Sequence, residues 1–319
     1  MTKPNVLVTW PIPDEALALL RTRCDVEVNH EKWTKERLLK AVEGRDALVV
    51  VSGTKIDADV CDVLAKKCKI IAGHGVGYNN IDVAAATKVG VWASNTPDVV
   101  TDSTADLAFT LLCAVARRVV EADQFIREGN TVWGPTNMLG TQISGKVLGV
   151  IGAGRIGQAF IERAKGFNME ILYVDHNDRE ELNKIGARRV EKEELLQKAD
   201  FISLHVPLND GTRHYIGAEE LKMMKKTAIL VNCSRGPVVD EQALYTALKE
   251  KTIGGAGLDV FEKEPEVYKP LFELKNVIMT PHIGTSTIET RINMGEMCAR
   301  NVFAALDGQT PPQALNKIK

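Results

Sequence analysis

The chain has 319 residues, of which 45% are hydrophobic and 26% are charged, and its formal net charge is -2. This length predicts two domains, and the near-neutral charge argues against binding to a polyanion, so we expect no nucleic-acid partner. No apolar run reaches membrane-spanning length and a strand-like segment begins at Asn5, so we expect no membrane association and a cytoplasmic location. The six cysteines form no CxxC pair and no Cys/His cluster, which predicts reduced thiols and no metal site.

Short β-branched runs alternate with helical patterns along the chain, which is typical of βαβ units and parallel sheets. Five strands are predicted in a first open α/β domain, at residues 6–9, 25–28, 47–51, 69–72 and 91–93. Ser103 and Asp106 then have capping-box spacing ahead of an apolar stripe that runs from Leu107 to Val119. We therefore expect one long amphipathic helix between two domains, and a second sheet that begins with residues 147–151.

A glycine-rich turn follows that strand directly, with Gly152, Gly154 and Gly157 in GxGxxG spacing ahead of a helical segment at 158–165. The first glycine permits a tight turn, the second lets the backbone approach a pyrophosphate, and the third lets helix and strand pack closely. After the next predicted strand, 169–174, Asp175 is placed to accept hydrogen bonds from the adenosine ribose and to repel a 2′-phosphate. The pattern predicts a dinucleotide site that favours NAD over NADP. A plain turn followed by a solvated acid is the alternative.

Polar residues follow four further predicted strands of this second sheet, and the carboxyl ends of parallel strands meet in one crevice. Arg235 offers a cation for the carboxylate of a 2-keto acid, and His282 offers a proton for its carbonyl oxygen. A nearby carboxylate favours the charged imidazolium, and Glu264 is the candidate. Taken singly, these residues also fit a salt bridge, a sheet-edge histidine and a solvated loop acid.

The segment from Gly73 to Asn80 follows a strand of the first domain, and its glycines expose backbone N–H groups that could hold an anion. This segment is the expected contribution of the first domain to substrate binding. A simple turn between strand and helix explains the same glycines. His74 and His205 receive no assigned role.

The chain resembles the D-2-hydroxyacid dehydrogenases, and within them the glyoxylate/hydroxypyruvate reductase branch. The resemblance rests on the glycine turn at 152–157, Asn232-Cys233-Ser234-Arg235-Gly236, residues 259–265 and Thr280-Pro281-His282-Ile283-Gly284, in family order. Matches at 75–82, 96–102 and 224–229 and at the Pro311-Pro312 tail extend it over essentially the whole chain.

The resemblance implies an α/β fold of two Rossmann-like, doubly wound parallel-sheet domains. A discontinuous, flavodoxin-like substrate domain would comprise residues 1–99 and 285–319, with a helix at 286–306 crossing back onto it, and an NAD-binding Rossmann domain would comprise 100–284. Family members are generally homodimers, and their chemistry is hydride transfer between NAD and a small 2-keto or 2-hydroxy acid.

The resemblance also implies individual site residues. Arg235, Glu264 and His282 form the catalytic set, and the substrate is bound by Val76, Gly77, Arg235 and His282. Asp259 is implied to reach the nicotinamide carboxamide. The implied cofactor-binding residues are Thr104, Gly152, Gly154, Arg155, Ile156, Gly157, Asp175, Val206, Pro207, Thr212, Cys233, Ser234, Asp259 and Gly284.

Two departures from the branch affect these expectations. The sequence has Asp175-His176-Asn177-Asp178 where NADP-preferring reductases carry a basic or hydroxyl cluster, and Asn137 where several reductases place a tryptophan from the partner subunit. The alternative functions are a phosphoglycerate dehydrogenase-like enzyme, which often carries an appended regulatory domain, and an NAD-sensing scaffold of the corepressor type. Phosphite dehydrogenases differ at Val76, where they carry lysine.

Overall fold

The computed structural model describes residues 3–318, which form two compact units of parallel α/β structure. One unit contains the chain up to Val100 and again from Thr285, and the other contains Thr101–Gly284. Between residues 3 and 318, no helix is long and apolar enough to cross a membrane. The same residues contain no group of histidine, cysteine or acidic side chains that could hold a metal ion.

The first unit is built on a five-stranded parallel sheet in the order β2-β1-β3-β4-β5, which is the flavodoxin-like order. The strands are β1 (Asn5–Val8), β2 (Asp25–Val28), β3 (Ala47–Val51), β4 (Ile70–His74) and β5 (Trp92–Ser94). The central strands β3 and β4 are buried along their whole length, as a sheet covered on both faces requires.

Helices cover both faces of this first sheet. They are α1 (Asp14–Arg23), α2 (Lys35–Val42), α3 (Ala58–Leu64), α4 (Val83–Lys88) and, from the end of the chain, α12 (Ile288–Leu306). A Cβ added at Gly295 would lie 2.3 Å from the Cβ of Ala16, so α1 and α12 pack at a distance that only glycine allows. The discontinuous unit is therefore closed by helix α12.

The second unit is built on a seven-stranded parallel sheet in the order β12-β11-β10-β9-β6-β7-β8. The strands are β6 (Val147–Ile151), β7 (Glu170–Val174), β8 (Arg188–Arg189), β9 (Phe201–Leu204), β10 (Ile229–Asn232), β11 (Gly255–Leu258) and β12 (Val277–Met279). Chain order reverses between β6 and β9, which is the switch point where doubly wound sheets bind ligands. The predicted Rossmann-like fold class is confirmed.

The helices of the second unit are α5 (Thr101–Ala116), α6 (Val119–Arg127), α7 (Arg155–Lys165), α8 (Glu180–Lys184), α9 (Lys192–Lys198), α10 (Ala218–Met223) and α11 (Glu241–Lys249). Two 3-10 helices, Gly236–Val238 and Lys269–Glu273, lie among them. A large buried cluster on each face of the sheet provides the core of the unit.

The expectation of one continuous helix up to Val119 was wrong. Helix α5 begins at Thr101, so that Ser103 is buried inside it and not at its cap, and it ends at Ala116. Thr141 N donates to the Ala116 carbonyl at 2.7 Å, and Arg118 adopts the left-handed conformation with φ of 54°. The backbone thus turns at Arg118, and a separate helix, α6, begins at Val119.

Candidate active site

The side chains of the second unit that are candidates for catalysis follow the carboxyl ends of its strands. Arg235 comes shortly after β10, Asp259 directly after β11 and His282 shortly after β12. These three strands are consecutive neighbours in the sheet and parallel, so the residues after them reach the same edge. The crevice predicted from the sequence is therefore the place where these groups meet.

His282 and Glu264 form the central pair of this edge. The distance from His282 Nδ1 to Glu264 Oε2 is 2.7 Å, and Phe261 N donates to Glu264 Oε1 at 3.0 Å. Burial alone would raise the pKa of Glu264, but the His282 hydrogen bond and charge, the Phe261 N–H and the Arg235 charge together lower it. Glu264 is therefore ionised near neutral pH, and Nε2 is the ring nitrogen left to exchange a proton with a ligand.

Asp259 fixes the backbone that carries His282. Its Oδ1 accepts from Thr280 Oγ1 at 2.6 Å and from Ile283 N at 2.8 Å, and its Oδ2 accepts from Gly284 N at 2.7 Å. Burial raises the pKa of Asp259, although these hydrogen bonds oppose the change. With φ of 54°, His282 has a backbone conformation that is uncommon outside glycine, and the Asp259 bonds on both sides hold it there.

Arg235 is held by the turn that follows β10. Asn232 Oδ1 accepts from the backbone and hydroxyl of Ser234 at 3.0 and 2.8 Å, and Asn232 Nδ2 donates to the Arg235 carbonyl at 3.0 Å. Burial lowers the pKa of the Arg235 guanidinium, and the Glu264 carboxylate opposes this effect. An arginine remains charged in proteins, so the site offers a partly desolvated cation beside the His282–Glu264 pair.

The glycine turn has the geometry that a dinucleotide needs. Gly152 has φ of 94°, and a Cβ added to it would lie 2.7 Å from the His205 carbonyl oxygen. A Cβ added to Gly157 would lie 2.1 Å from the Gly152 carbonyl oxygen, whereas one at Gly154 would meet no atom within 4 Å. Because α7 begins at Arg155, the open space at Gly154 lies at the N-terminus of a helix, where a pyrophosphate is stabilised. These residues fit a dinucleotide cofactor.

Asp175 follows β7 and is tied to this turn. Its Oδ2 accepts from Ala153 N at 2.9 Å, its Oδ1 accepts from Asn177 N at 3.1 Å, and Arg179 Nη2 lies 3.1 and 3.3 Å from the two oxygens. Burial alone would raise the pKa of Asp175, but these bonds and the Arg179 charge outweigh burial and lower it. The expected acid is thus present and ionised, although a cation that was not predicted from the sequence, Arg179, accompanies it.

Other expected cofactor residues lie around the same edge. Gly284 adjoins two of them, since an added Cβ would lie 3.2 Å from Asp259 Oδ2 and 3.5 Å from Thr104 Cγ2. Thr212 Oγ1 donates to the Pro207 carbonyl at 2.6 Å. Val206 comes shortly after β9, and Cys233 and Ser234 come directly after β10. Arg155 and Ile156 are the first two residues of α7.

In the first unit, Val76 and Gly77 follow β4 and are partly exposed. Asn95 Nδ2 donates to the Val76 carbonyl at 2.8 Å and braces this loop. The two unassigned histidines are buried: burial, aided by the Arg291 charge, lowers the pKa of His74 to about 4, and burial lowers that of His205 to about 3. Both rings are neutral near pH 7, so neither is an imidazolium that could donate a proton to a carbonyl oxygen.

Two acidic residues beside the site, Glu241 and Glu262, were not predicted from the sequence. Each accepts a hydrogen bond from the backbone N–H of the other. The only local signal was that Glu241 follows Asp240, which caps α11 by accepting from Ala243 N. Their pairing depends on a contact between distant parts of the chain, which no local pattern indicates.

Comparisons with known proteins agree with this geometry. Residues 109–284 match the family described as D-isomer specific 2-hydroxyacid dehydrogenase, NAD binding domain. A glyoxylate reductase from Thermococcus litoralis is 49% identical over 323 residues, covering 99% of this chain and 97% of the relative. The TT0316 protein from Thermus thermophilus superposes with a TM-score of 0.92 at 41% identity, covering 98% of this chain and 100% of that one.

A further solved structure is the glyoxylate/hydroxypyruvate reductase from Sinorhizobium meliloti, described as NADPH-dependent and crystallised with NADP and malonate. It has a TM-score of 0.84 at 29% identity, and the match covers 98% of this chain and 97% of that one. The family match lies within the second unit and supports a nicotinamide cofactor, and the similarities to these relatives and structures extend over both units. The chain therefore belongs to the D-isomer specific 2-hydroxyacid dehydrogenase family, whose members are oxidoreductases that act on CH–OH donors.

Proposed function

We propose that the protein reduces glyoxylate or hydroxypyruvate to the corresponding 2-hydroxy acid of D configuration, with NADH as the reductant. The observation that carries this proposal is the His282–Glu264 hydrogen bond of 2.7 Å beside a partly buried Arg235. A 2-keto acid presents a carboxylate and a carbonyl oxygen that becomes an alkoxide on reduction. The arginine and the imidazolium match these two groups in charge and in hydrogen-bonding capacity.

Arg235 binds the substrate carboxylate, and the family resemblance implies that the backbone of Val76 and Gly77 also contributes to substrate binding. Its planar guanidinium can make two parallel hydrogen bonds to a carboxylate. His282 donates its Nε2 proton to the carbonyl oxygen as negative charge develops there. Glu264 keeps the ring oriented through Nδ1 and stabilises its charged form.

The cofactor would lie across the switch point of the second sheet, with its pyrophosphate at Gly154 and its adenosine ribose at Asp175. When bound, its nicotinamide supplies the hydride. Asp259 Oδ2 accepts one hydrogen bond from the described residues, so it has a lone pair left for the carboxamide. Asp175 supports NAD over NADP because its charge opposes a 2′-phosphate, and Arg179 reduces that opposition.

Steady-state assays with glyoxylate, hydroxypyruvate, phosphohydroxypyruvate and pyruvate, each with NADH and NADPH, test the proposal. We expect the highest kcat/KM for glyoxylate or hydroxypyruvate with NADH. A preference for phosphohydroxypyruvate would instead favour a phosphoglycerate dehydrogenase-like enzyme. Tight NADH binding without turnover of any keto acid would favour a cofactor-sensing scaffold.

We also propose that the protein is a homodimer that associates through the nucleotide-binding unit. Helix α6 buries none of its residues, and its apolar side chains Val119, Val120 and Ile126 are more than half exposed. Val132 and Trp133, a few residues further along the chain, are exposed as well. Exposed apolar side chains that form a patch are typical of an interface. Light scattering should give twice the mass of one chain, and Val120→Asp should shift it towards that of the monomer.

Asn137 bears on whether the partner subunit completes the substrate pocket. Its Oδ1 accepts from Gly134 N at 2.7 Å, so its side chain closes a local turn. An asparagine side chain that is held in a local turn is small and does not cover a substrate as a tryptophan would. We therefore expect a more open substrate pocket than in reductases with that tryptophan.

A further inference from the structure

Glu241 and Glu262 form a reciprocal pair outside the catalytic set. Glu241 N donates to Glu262 Oε1 at 3.0 Å, and Glu262 N donates to Glu241 Oε1 at 2.7 Å. Glu241 is buried at the first position of α11, and Glu262 lies in the loop that carries Glu264. The pair therefore ties the start of a helix to the loop that provides the partner of His282.

The same loop is held from a second side. A Cβ added to Gly236 would lie 1.9 Å from the carbonyl carbon of Phe261, so the loop backbone lies directly against the residue after Arg235. Phe261 N in turn donates to Glu264 Oε1. A shift of Glu262 would move this backbone and change the distance between Glu264 and His282.

The pair also adds negative charge to this region. Burial raises the pKa of Glu241, as do the charges of Glu262 and Glu264, while the Glu262 N–H and Lys263 oppose the change. His214 Nε2 lies 3.2 Å from Glu262 Oε1. Among the described residues, Arg235 also acts on Glu264 through its charge, and Asp259 interacts with the charge of His282.

We infer that Glu241 is a positioning residue for the His282–Glu264 pair. It holds Glu262, and through it the loop, so that the Glu264 carboxylate stays against His282 Nδ1. Its effect on rate rests on the proposed function, but its effect on the His282 ring does not.

Three variants and one control test this inference. Glu241→Gln keeps an acceptor for Glu262 N, Glu241→Ala removes it, and Glu262→Ala removes the other half of the pair. Asp200→Ala is the control, because Asp200 also holds a backbone N–H, accepting from Val147 N at 2.9 Å, and binds Lys225 at 2.9 Å. It precedes β9, at the amino ends of the strands, away from the loop.

The first measurement is NMR of ring-labelled histidine in the full chain without substrate, from about pH 5 to 10. His282→Gln identifies the His282 signal, and Glu264→Gln gives the shift caused by loss of its partner. We expect Glu241→Ala and Glu262→Ala to move the titration of this signal to lower pH, by less than Glu264→Gln does. Glu241→Gln keeps the hydrogen-bond acceptor but loses the charge, so it should move the titration less than Glu241→Ala does, and Asp200→Ala should leave it unmoved.

An unmoved His282 titration in both alanine variants would overturn the inference, as would an equal shift in Asp200→Ala. If Glu241→Ala does not fold, Glu262→Ala decides between the same outcomes. In keto-acid reduction we expect Glu241→Ala to lower kcat/KM about 10- to 100-fold, because small displacements of catalytic groups have effects of this size. If the wild-type protein reduced no keto acid, the proposed function would be wrong. The NMR titration would still decide whether Glu241 positions the His282–Glu264 pair.

Discussion

His282 Nδ1 lies 2.7 Å from Glu264 Oε2, although the two residues come from different loops at the carboxyl edge of one sheet. The pairing fixes which ring nitrogen faces the substrate and places a negative charge beside an imidazolium. The His282 backbone is held in its left-handed conformation by Asp259, and the Glu264 loop lies against Gly236. The site is therefore a set of neighbouring strand ends held together by hydrogen bonds.

Replacement of Arg235 tests the substrate anchor. Arg235→Lys keeps the positive charge but loses the planar, two-point geometry that a carboxylate accepts. We expect kcat/KM for the keto acid to fall by about 100-fold or more, since misplaced substrates lose rate on this scale. Cofactor affinity, measured by NADH fluorescence, should change little. Near-wild-type kcat/KM on every keto acid would show that the carboxylate binds elsewhere.

Replacement of Asp175 tests cofactor choice. Asp175→Ala removes a charge that opposes a 2′-phosphate and releases Arg179 to face that phosphate instead. We expect the ratio of kcat/KM with NADH to kcat/KM with NADPH to fall by about tenfold, which corresponds to about 1.4 kcal/mol of discrimination between the cofactors.

Asp178→Ala is the matched control for cofactor choice. It removes a carboxylate from the same loop, but Asp178 accepts from Tyr173 Oη at 2.7 Å and not from the glycine turn. The ratio should stay near the wild-type value in this variant. An equal fall in both variants would mean that general loop charge, and not the Asp175 contact, sets the preference.

Two glycines of the turn should differ in how they respond to alanine. Gly157→Ala places a Cβ 2.1 Å from the Gly152 carbonyl oxygen, so the free energy of unfolding should fall by about 1–3 kcal/mol, as in other overpacked sites. Gly154→Ala meets no atom within 4 Å, so its Tm should stay near that of the wild type while its KM for NADH rises. Equal thermal destabilisation of both variants would contradict this description of the turn.

The sequence predicted much of this structure because the relevant signals are local. Runs such as Ala47–Val51 and Val147–Ile151 are apolar, rich in β-branched residues and almost wholly buried, and the glycine turn at 152–157 follows its strand directly. The two-residue strand β8 was missed because Arg188–Arg189 is exposed and shows no apolar pattern.

Features that depend on distant contacts could not be predicted. The turn at Arg118 depends on Thr141 binding the end of α5, and the brace at Glu262 depends on a helix that begins at Glu241. The proximity of Glu264 to His282 was expected from the chemistry of the strand ends and again from the resemblance, whereas the cation beside Asp175 emerged only from the folded loop.

The pH dependence of catalysis in both directions tests the central claim most directly. Reduction requires protonated His282, so its kcat/KM should be high at low pH and fall as the ring loses its proton. Oxidation of the 2-hydroxy acid requires the neutral ring, so its kcat/KM should rise over the same range. The pKa of Glu264 lies below its ordinary value, so its carboxylate remains charged from about pH 5 to 10 and favours the imidazolium throughout.

The decisive measurement is kcat/KM from about pH 5 to 10 in both directions, for the wild type, Glu264→Gln and His282→Gln. In the wild type we predict that kcat/KM for reduction falls with rising pH while kcat/KM for oxidation rises. In Glu264→Gln both transitions should move to lower pH. In His282→Gln the rate should fall by about 100- to 10,000-fold, and its dependence on the histidine ionisation should disappear. Superimposable profiles for the two directions, or an unmoved limb in Glu264→Gln, would contradict the roles proposed for His282 and Glu264.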